Sequence, residues 1–291
     1  MFIELFNIIF PVLLLASIGF TWVRLGYDYP TEFVTRLNMN FGAPCLVFVG
    51  ILDLGQDLPS MSSFMIASFV AITLMFIISS VFVFATGLPK RAYITSLSSS
   101  NCGNMGLPLC LFAFGQPGMS LAIAYFAVGT FFQFTVALFI SHGNMNFSSL
   151  FRIAFLWGIA AALFFILNDT TPPMWLMNTT KLLAGVTIPL MLMTLGASLA
   201  TLKVIKMGKI FSIGIFKMAL GIGIGIATAS YFGFVGIERN VLIMQMSMPV
   251  AVFSYLLASK YNRNPEEVAS LIFITTLISF ITVPLMLTFL F

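Results

Sequence analysis

The sequence predicts an all-α integral membrane protein: ten transmembrane helices in two inverted five-helix repeats, with broken helices 4 and 9 crossing near mid-membrane. Three observations predict it. Hydrophobic residues make up 60% of the 291 and charged residues only 8%, with a mean hydropathy of +1.07. A water-facing domain carries roughly 25% charged residues, so the solvent over most of this chain is lipid. The basic residues alternate from one connection to the next, and prolines fall at corresponding places in the two halves.

Ten apolar segments can be marked in order: 3–23, 31–52, 61–86, 92–115, 118–141, 148–167, 175–200, 209–231, 238–260 and 266–290. A spanning helix needs about 20 apolar residues. The runs are continuous and not alternating, which favours helices over barrel strands, and a helix pairs its own backbone in lipid. Segment 1 has Glu4 at its start and its first cation, Arg24, beyond its end. That reads as a retained helix with its N-terminus outside, not a cleavable signal. Segment 2 contains Pro44 in NFGAPCLVFVG and closes on Asp53 and Asp57, expected as solvated helix-end charges. Turns at Asp57 to Pro59 and at Gly87 to Arg91 bound segment 3. Segment 4 carries Pro108, and Gly115 to Gly118 turn the chain into segment 5. That segment ends at the single histidine, His142, expected at the interface beside Gly143. Asn168 to Pro173 separate segment 6 from segment 7, which has Pro189 in AGVTIPLMLMTLG. Segment 8 holds Lys217 and the run Gly221-Ile-Gly223-Ile-Gly225. The run follows no strand, so it predicts close helix packing, not a nucleotide loop. Segment 9 has Pro249 in QMSMPVAV, and Tyr261 to Pro265 lead into segment 10. Cys45, Cys102 and Cys110 lack metal-ligand spacing and read as small buried hydrophobes.

The connections after segments 1, 3, 5, 7 and 9, with the adjoining helix ends, hold Arg24, Arg36, Lys90, Arg91, Arg152, Lys203, Lys206, Lys209, Lys217, Lys260 and Arg263, which is 11 of the 13 basic residues. Only Lys181 and Arg239 fall on the other side. By the positive-inside rule this places both termini outside the cytoplasm. The net charge of +4 is then a property of the cytoplasmic face near anionic lipid and requires no nucleic acid.

Pro44 and Pro108 lie 64 residues apart, and Pro189 and Pro249 lie 60 apart. Five helices per half is odd, so the second copy is inverted. Paired helix breaks in inverted repeats are the pattern of secondary transporters, with Pro44 and Pro189 as the repeat-related breaks of segments 2 and 7. Segment 4 is the most polar stretch: Ser98-Ser99-Ser100-Asn101-Cys102-Gly103-Asn104-Met105-Gly106-Leu107-Pro108. Proline removes a backbone hydrogen bond, and unwound backbone at membrane depth is tolerated only where protein or a water-filled cavity satisfies it. A half-helix starting near Pro108 would aim its N-terminal amides at that cavity, an anion site without a cationic side chain. Segment 9 supplies Gln245, Ser247, Pro249 and, one turn on, Ser254. Crossing of the two broken helices would gather Ser100, Asn101, Asn104, Gln245 and Ser247 as substrate-binding residues, with Gly103, Gly106, Pro108 and Pro249 shaping the crossover. The alternative is that these polar groups only tie helices together. Lys217 is a charge partner for an anion, or, the favoured expectation, its stem snorkels to the cytoplasm.

NCGNMGLPLCLFAFG resembles the fourth-helix signature of the auxin efflux carrier family of membrane transporters. MPVAVFSYLLASKYNRNPEEVASLIFITTLISFITVPL resembles that family's ninth and tenth helices, and the resemblance spans essentially the whole chain. It implies the ten-helix inverted-repeat fold with crossed helices 4 and 9. Residues 1–60 and 148–202 would form the scaffold and dimer side, and 61–147 and 203–291 the moving transport side. It also implies a permease for a small carboxylate such as malate or malonate in a bacterial-type inner membrane. The short connection between segments 5 and 6 is similar to bacterial members, not to plant ones. The related bile acid sodium symporters carry a Ser-Asn pair in helix 4, matched by Ser100-Asn101, and a glutamate four residues before a helix-9 glutamine. Here Val241 stands at that spacing from Gln245, so a sodium site of that type would lack its carboxylate. A coupling ion, H+ or Na+, stays open, and no cofactor or metal is expected.

The functional expectation is a secondary carrier of a small organic anion. A receptor or sensor on a transporter fold is the alternative. An intramembrane enzyme is disfavoured because there is no H-E-x-x-H, no pair of intramembrane aspartates and no Ser/His dyad. An ATP-driven pump is disfavoured because there is no G-x-x-x-x-G-K-[ST] loop.

Overall fold

The computed structural model describes residues 2–54, 58–137, 154–202, 205 and 207–290, whose regular secondary structure is all helical and which contain no β-strand. Helix α1 (Phe2–Arg24) is followed by α2 (Thr31–Leu37), which passes through a π-helical turn at Asn38–Gly42 into α3 (Ala43–Leu54). Then come α4 (Leu58–Thr86) and α5 (Lys90–Ser98). A second π-turn at Cys102–Gly106 leads into α6 (Leu107–Phe132), which is divided by Gly115 at φ 65° and ends in a π-turn at Gln133–Ala137. The remaining elements are α7 (Ala154–Leu167), α8 (Met174–Thr201), α9 (Met207–Tyr231), α10 (Gly236–Met246), α11 (Phe253–Lys260) and α12 (Pro265–Leu290). Among the described residues, seven helical stretches are long and apolar enough to cross a membrane, and α7 is a shorter apolar helix.

The outer surface identifies the solvent. Ile281, Leu285 and Phe289 on one face of α12 are 60–78% exposed, while Val283 and Leu287 between them are buried. A helix apolar on its inner and outer faces alike belongs in hydrocarbon. Packing in lipid relies on close backbone approach. Helices α1 and α8 meet where Gly19 lies on the Met193 carbonyl and Gly196 on the Ala16 carbonyl, with no room for a Cβ at either glycine. Gly158 of α7 sits likewise on the Pro44 backbone. Thus α1, α3, α7 and α8 pack together, and α4, α5, α6, α9, α10 and α12 form a second assembly. In the Gly221-Ile-Gly223-Ile-Gly225 run, Gly221 and Gly225 lie against α10, whereas Gly223 faces open space.

The prolines behave differently from the expectation. Pro189 lies inside an uninterrupted α8, and Pro44 inside an uninterrupted α3, so neither marks a helix break. Losing one amide leaves one carbonyl unpaired, and packed flanking turns absorb that without unwinding. The Asn38 amide, 5% exposed, donates to the Thr187 carbonyl beside Pro189 at 3.2 Å. Pro108 is also within helix: the half-helix begins with the π-turn at Cys102, six residues earlier than expected. Pro44 and Pro108 are each the second residue after a five-residue π-turn. Widening the ring of hydrogen bonds there moves the proline clear of the preceding carbonyls. Asp57, His142, Gly143, Arg152, Lys203 and Lys206 lie outside the described residues. Asp53 is exposed at the end of α3.

Candidate functional site

Two helical segments are interrupted within the packed interior. The first breaks at 99–101, between α5 and the turn at Cys102, where Ser99 is extended. The second breaks at 247–252, between α10 and α11, around Pro249. The breaks face each other. The Asn101 amide donates to the Pro249 carbonyl at 2.7 Å, and the Ala251 amide donates to the Ser99 carbonyl at 3.0 Å. This makes a short antiparallel bridge centred on Ser100 and Val250. The Val250 amide donates to Thr275 Oγ1 of α12 at 3.1 Å. The amides of Met105 and Gly106 both reach the Asn101 carbonyl, at 3.3 and 3.1 Å. Backbone groups freed by unwinding are thereby paired with protein, as a break in hydrocarbon demands.

The side chains around the bridge are less complete. Asn101 is 4% exposed and its Nδ2 has no partner; Gln245 is 0% exposed and its Oε1 has none. Gln245 Nε2 lies 3.7 Å from Cys110 Sγ. Gln245 is pressed against Gly106, where a Cβ would overlap its Oε1. Unsatisfied buried polar atoms are rare enough in folded proteins to call for a cause. Here one donor and one acceptor lie on opposite sides of the same joint. Ser247 is not part of this set, because its hydroxyl donates to the Met244 carbonyl of its own helix at 2.8 Å. Asn104 is half-buried and makes no side-chain hydrogen bond among the described residues. Ser254 is buried with its hydroxyl unpaired. Ser100 Oγ donates to the Met246 carbonyl at 3.5 Å.

Lys217 overturns the snorkelling expectation. It is 0% exposed, and its ammonium donates to Ser100 Oγ at 3.1 Å and to the Met248 carbonyl. Snorkelling requires a free path to the headgroups. Instead Gly221, one turn further along α9, brings that helix into backbone contact with Met246 and Ser247, which places the lysine stem alongside the break. The sequence reading missed two further residues. Thr275 is the side-chain partner of the second break, and the Tyr125 hydroxyl reaches Met246 Sδ at 3.0 Å. The cluster Thr275, Thr276 and Ser279 within apolar α12, each 0% exposed, was the available signal.

A cavity of about 340 Å³ opens between α3, α6 and α8, with Asp53, Gln116 and Lys181 among its lining residues. A second, of about 20 Å³, lies beside the bridge against Ser98, Ser99, Ser100, Tyr125 and Gln133, room on the order of one water.

The chain is similar to known transporters along its length. The family described as Membrane transport protein matches residues 5–150 and 148–287. An uncharacterized transporter of Methanothermobacter thermautotrophicus is 25% identical over 298 aligned positions, covering 95% of each chain. An uncharacterized transporter of Methanocaldococcus jannaschii is 28% identical over 196, covering 64% of this chain and 63% of that protein, so this chain spans under two thirds of that relative. With both halves of the sequence matched and an apolar, all-helical body, the chain belongs to the membrane transport protein family, the family of the auxin efflux carriers that its motifs resemble.

Proposed function

We propose that this membrane transporter is a secondary carrier of a small organic anion, a carboxylate, bound at the joint between the two interrupted helices. The observation that carries the proposal is the pairing of the breaks around the buried, partnerless donor Asn101 Nδ2, with the buried Gln245 amide on the other side of the joint. A carboxylate oxygen accepts from Asn101 Nδ2 and from the orphan amides at the start of the helix beginning at Cys102, whose dipole favours negative charge. In this scheme Asn104 is a further donor, Ser100 turns its hydroxyl from the Met246 carbonyl toward the anion, and Lys217 contributes positive charge. Ser247 acts through the shape of the break. Gly103, Gly106, Pro108 and Pro249 let the two chains approach.

In this reading the described helices belong to a ten-helix fold of two inverted repeats, with segments 4 and 9 as its crossover and both termini extracytoplasmic in a bacterial-type inner membrane. Residues 1–60 and 148–202 are a scaffold that also makes a homodimer. Residues 61–147 and 203–291 move against it in an elevator-type cycle. The dense packing of α1, α3, α7 and α8 on one another, which meet the remaining helices mainly through α6 and the turn before it, supports that division. The cavity between α3, α6 and α8 is the vestibule between the two parts.

The test is thermal stabilisation of the detergent-purified protein by a panel of mono- and dicarboxylates, since a ligand of the folded state raises its apparent stability as RT ln(1 + [L]/Kd). At least one carboxylate is expected to raise the Tm, and Asn101→Ala to abolish that rise while melting as a folded protein. A carboxylate shift that Asn101→Ala retains in full would move the site away from the joint.

A further inference from the structure

A lysine fully inside a membrane domain is costly unless its charge is met. Among the described residues there is no carboxylate on α5, α9 or α11, in either break, or on α4 from 61 to 86; the single acid of α10, Glu238, lies at its far end, and those of α12, Glu266 and Glu267, lie in its first turn. Two oxygens meet the charge instead, Ser100 Oγ and the Met248 carbonyl. Their placement is matched. Ser100 is the second residue beyond the end of α5, and Met248 the second residue beyond the end of α10. The C-terminal, negative ends of two helices therefore converge on one ammonium, and Gly221 holds α9 close enough for the lysine to reach them. Oxygen ligands at two converging helix C-termini make a site for a monovalent cation.

We propose that the Lys217 ammonium is a resident cation, covalently part of this chain, that fills the place a dissociable monovalent coupling ion would take between the interrupted helices. It ties the break after α5 to the break after α10 and brings a positive charge to the joint, so binding of an organic anion needs neither Na+ nor K+. The emptied site, with the lysine stem removed, takes a small monovalent cation: Na+, ammonium or methylammonium. The consequence for anion binding rests on the function proposed above; the occupancy of the cation site does not.

The experiment separates the two. Full-length protein is melted without any organic anion, in choline chloride replaced stepwise at constant ionic strength by NaCl, KCl or methylammonium chloride. The wild-type Tm is expected to be the same in all four salts. Lys217→Ala is expected to melt lower in choline and to recover saturably with methylammonium or Na+. Lys217→Met, whose stem refills the space without a charge, is expected to show no recovery. Should Lys217→Ala yield no protein in choline, purification in methylammonium chloride is expected to yield it. A wild type stabilised by Na+ over choline overturns the proposal. So does Lys217→Ala that melts like wild type, that recovers in none of the three cations, or that cannot be purified in any of them. If the cation behaviour holds but no carboxylate stabilises the wild type, the anion reading alone fails. If a carboxylate binds only with Na+ present, the resident-cation proposal alone fails.

Discussion

Replacing Thr275 with valine removes one oxygen and nearly preserves the shape of the side chain, which makes it a clean probe of the second break. Thr275 and Val250 are both 0% exposed, and the 3.1 Å bond from the Val250 amide to Thr275 Oγ1 joins the break to α12. The hydroxyl also donates to the Leu271 carbonyl at 2.8 Å, a group that lies within α12 and is replaceable by the helix's own bonding. In Thr275→Val the loss is therefore concentrated on one buried, unpaired N–H, which costs about 1–3 kcal/mol. Thr275→Ser keeps the oxygen and gives up a methyl group, worth about 1 kcal/mol in a packed core. For a chain of this size each kcal/mol lowers the Tm by roughly 2–4 °C. Melting of the three proteins in one detergent should rank wild type above Thr275→Ser above Thr275→Val. Thr275→Val melting at or above Thr275→Ser would refute the idea that side-chain pairing to α12 sustains the break.

Two other substitutions test the approach of the helices. Gly221→Ala drives a Cβ into the Met246 carbonyl, whereas Gly223→Ala enters open space two residues away. The first should destabilise by about 1–3 kcal/mol, and the second should be neutral or stabilise by up to about 1 kcal/mol, read from paired melting curves. Gly106→Ala overlaps Gln245 Oε1. It should weaken any carboxylate-induced stabilisation several-fold more than it lowers the melting point of the ligand-free protein, because the displaced group is a side-chain end at the joint and not backbone.

The helix positions were legible because the hydropathy runs are long: the apolar segment 61–86 corresponds to helix 58–86, and 175–200 to 174–201. The polar run at Ser98 to Asn104 and the glutamine at 245 marked where both breaks fall. What could not be read was how proline would act. Proline removes one amide at every position, but whether a helix unwinds depends on whether neighbours can satisfy the freed carbonyls. At Pro189 the helix continues through, and at Pro108 a π-turn absorbs the strain, so the first break sits at Ser99 to Asn101, ahead of its proline. Lys217 was misread for a related reason. Its distance from the cytoplasmic end of α9 follows from the sequence, but the two oxygens waiting for it belong to residues 31 and 117 positions away. Thr275 looked like one of many hydroxyls in an apolar helix, and only the fold shows that it faces an orphan amide.

The bridge between Ser99–Asn101 and Pro249–Ala251 is made from main-chain atoms alone. Amides and carbonyls are supplied by almost any residue, so the mechanical joint and the chemistry displayed on it are separately heritable. A relative could exchange the side chains at positions 100, 101 or 250 and keep the same bridge. On the carrier function proposed above, such a division lets a lineage drift from one solute to another without passing through a state in which the two helices have nothing to hold them together.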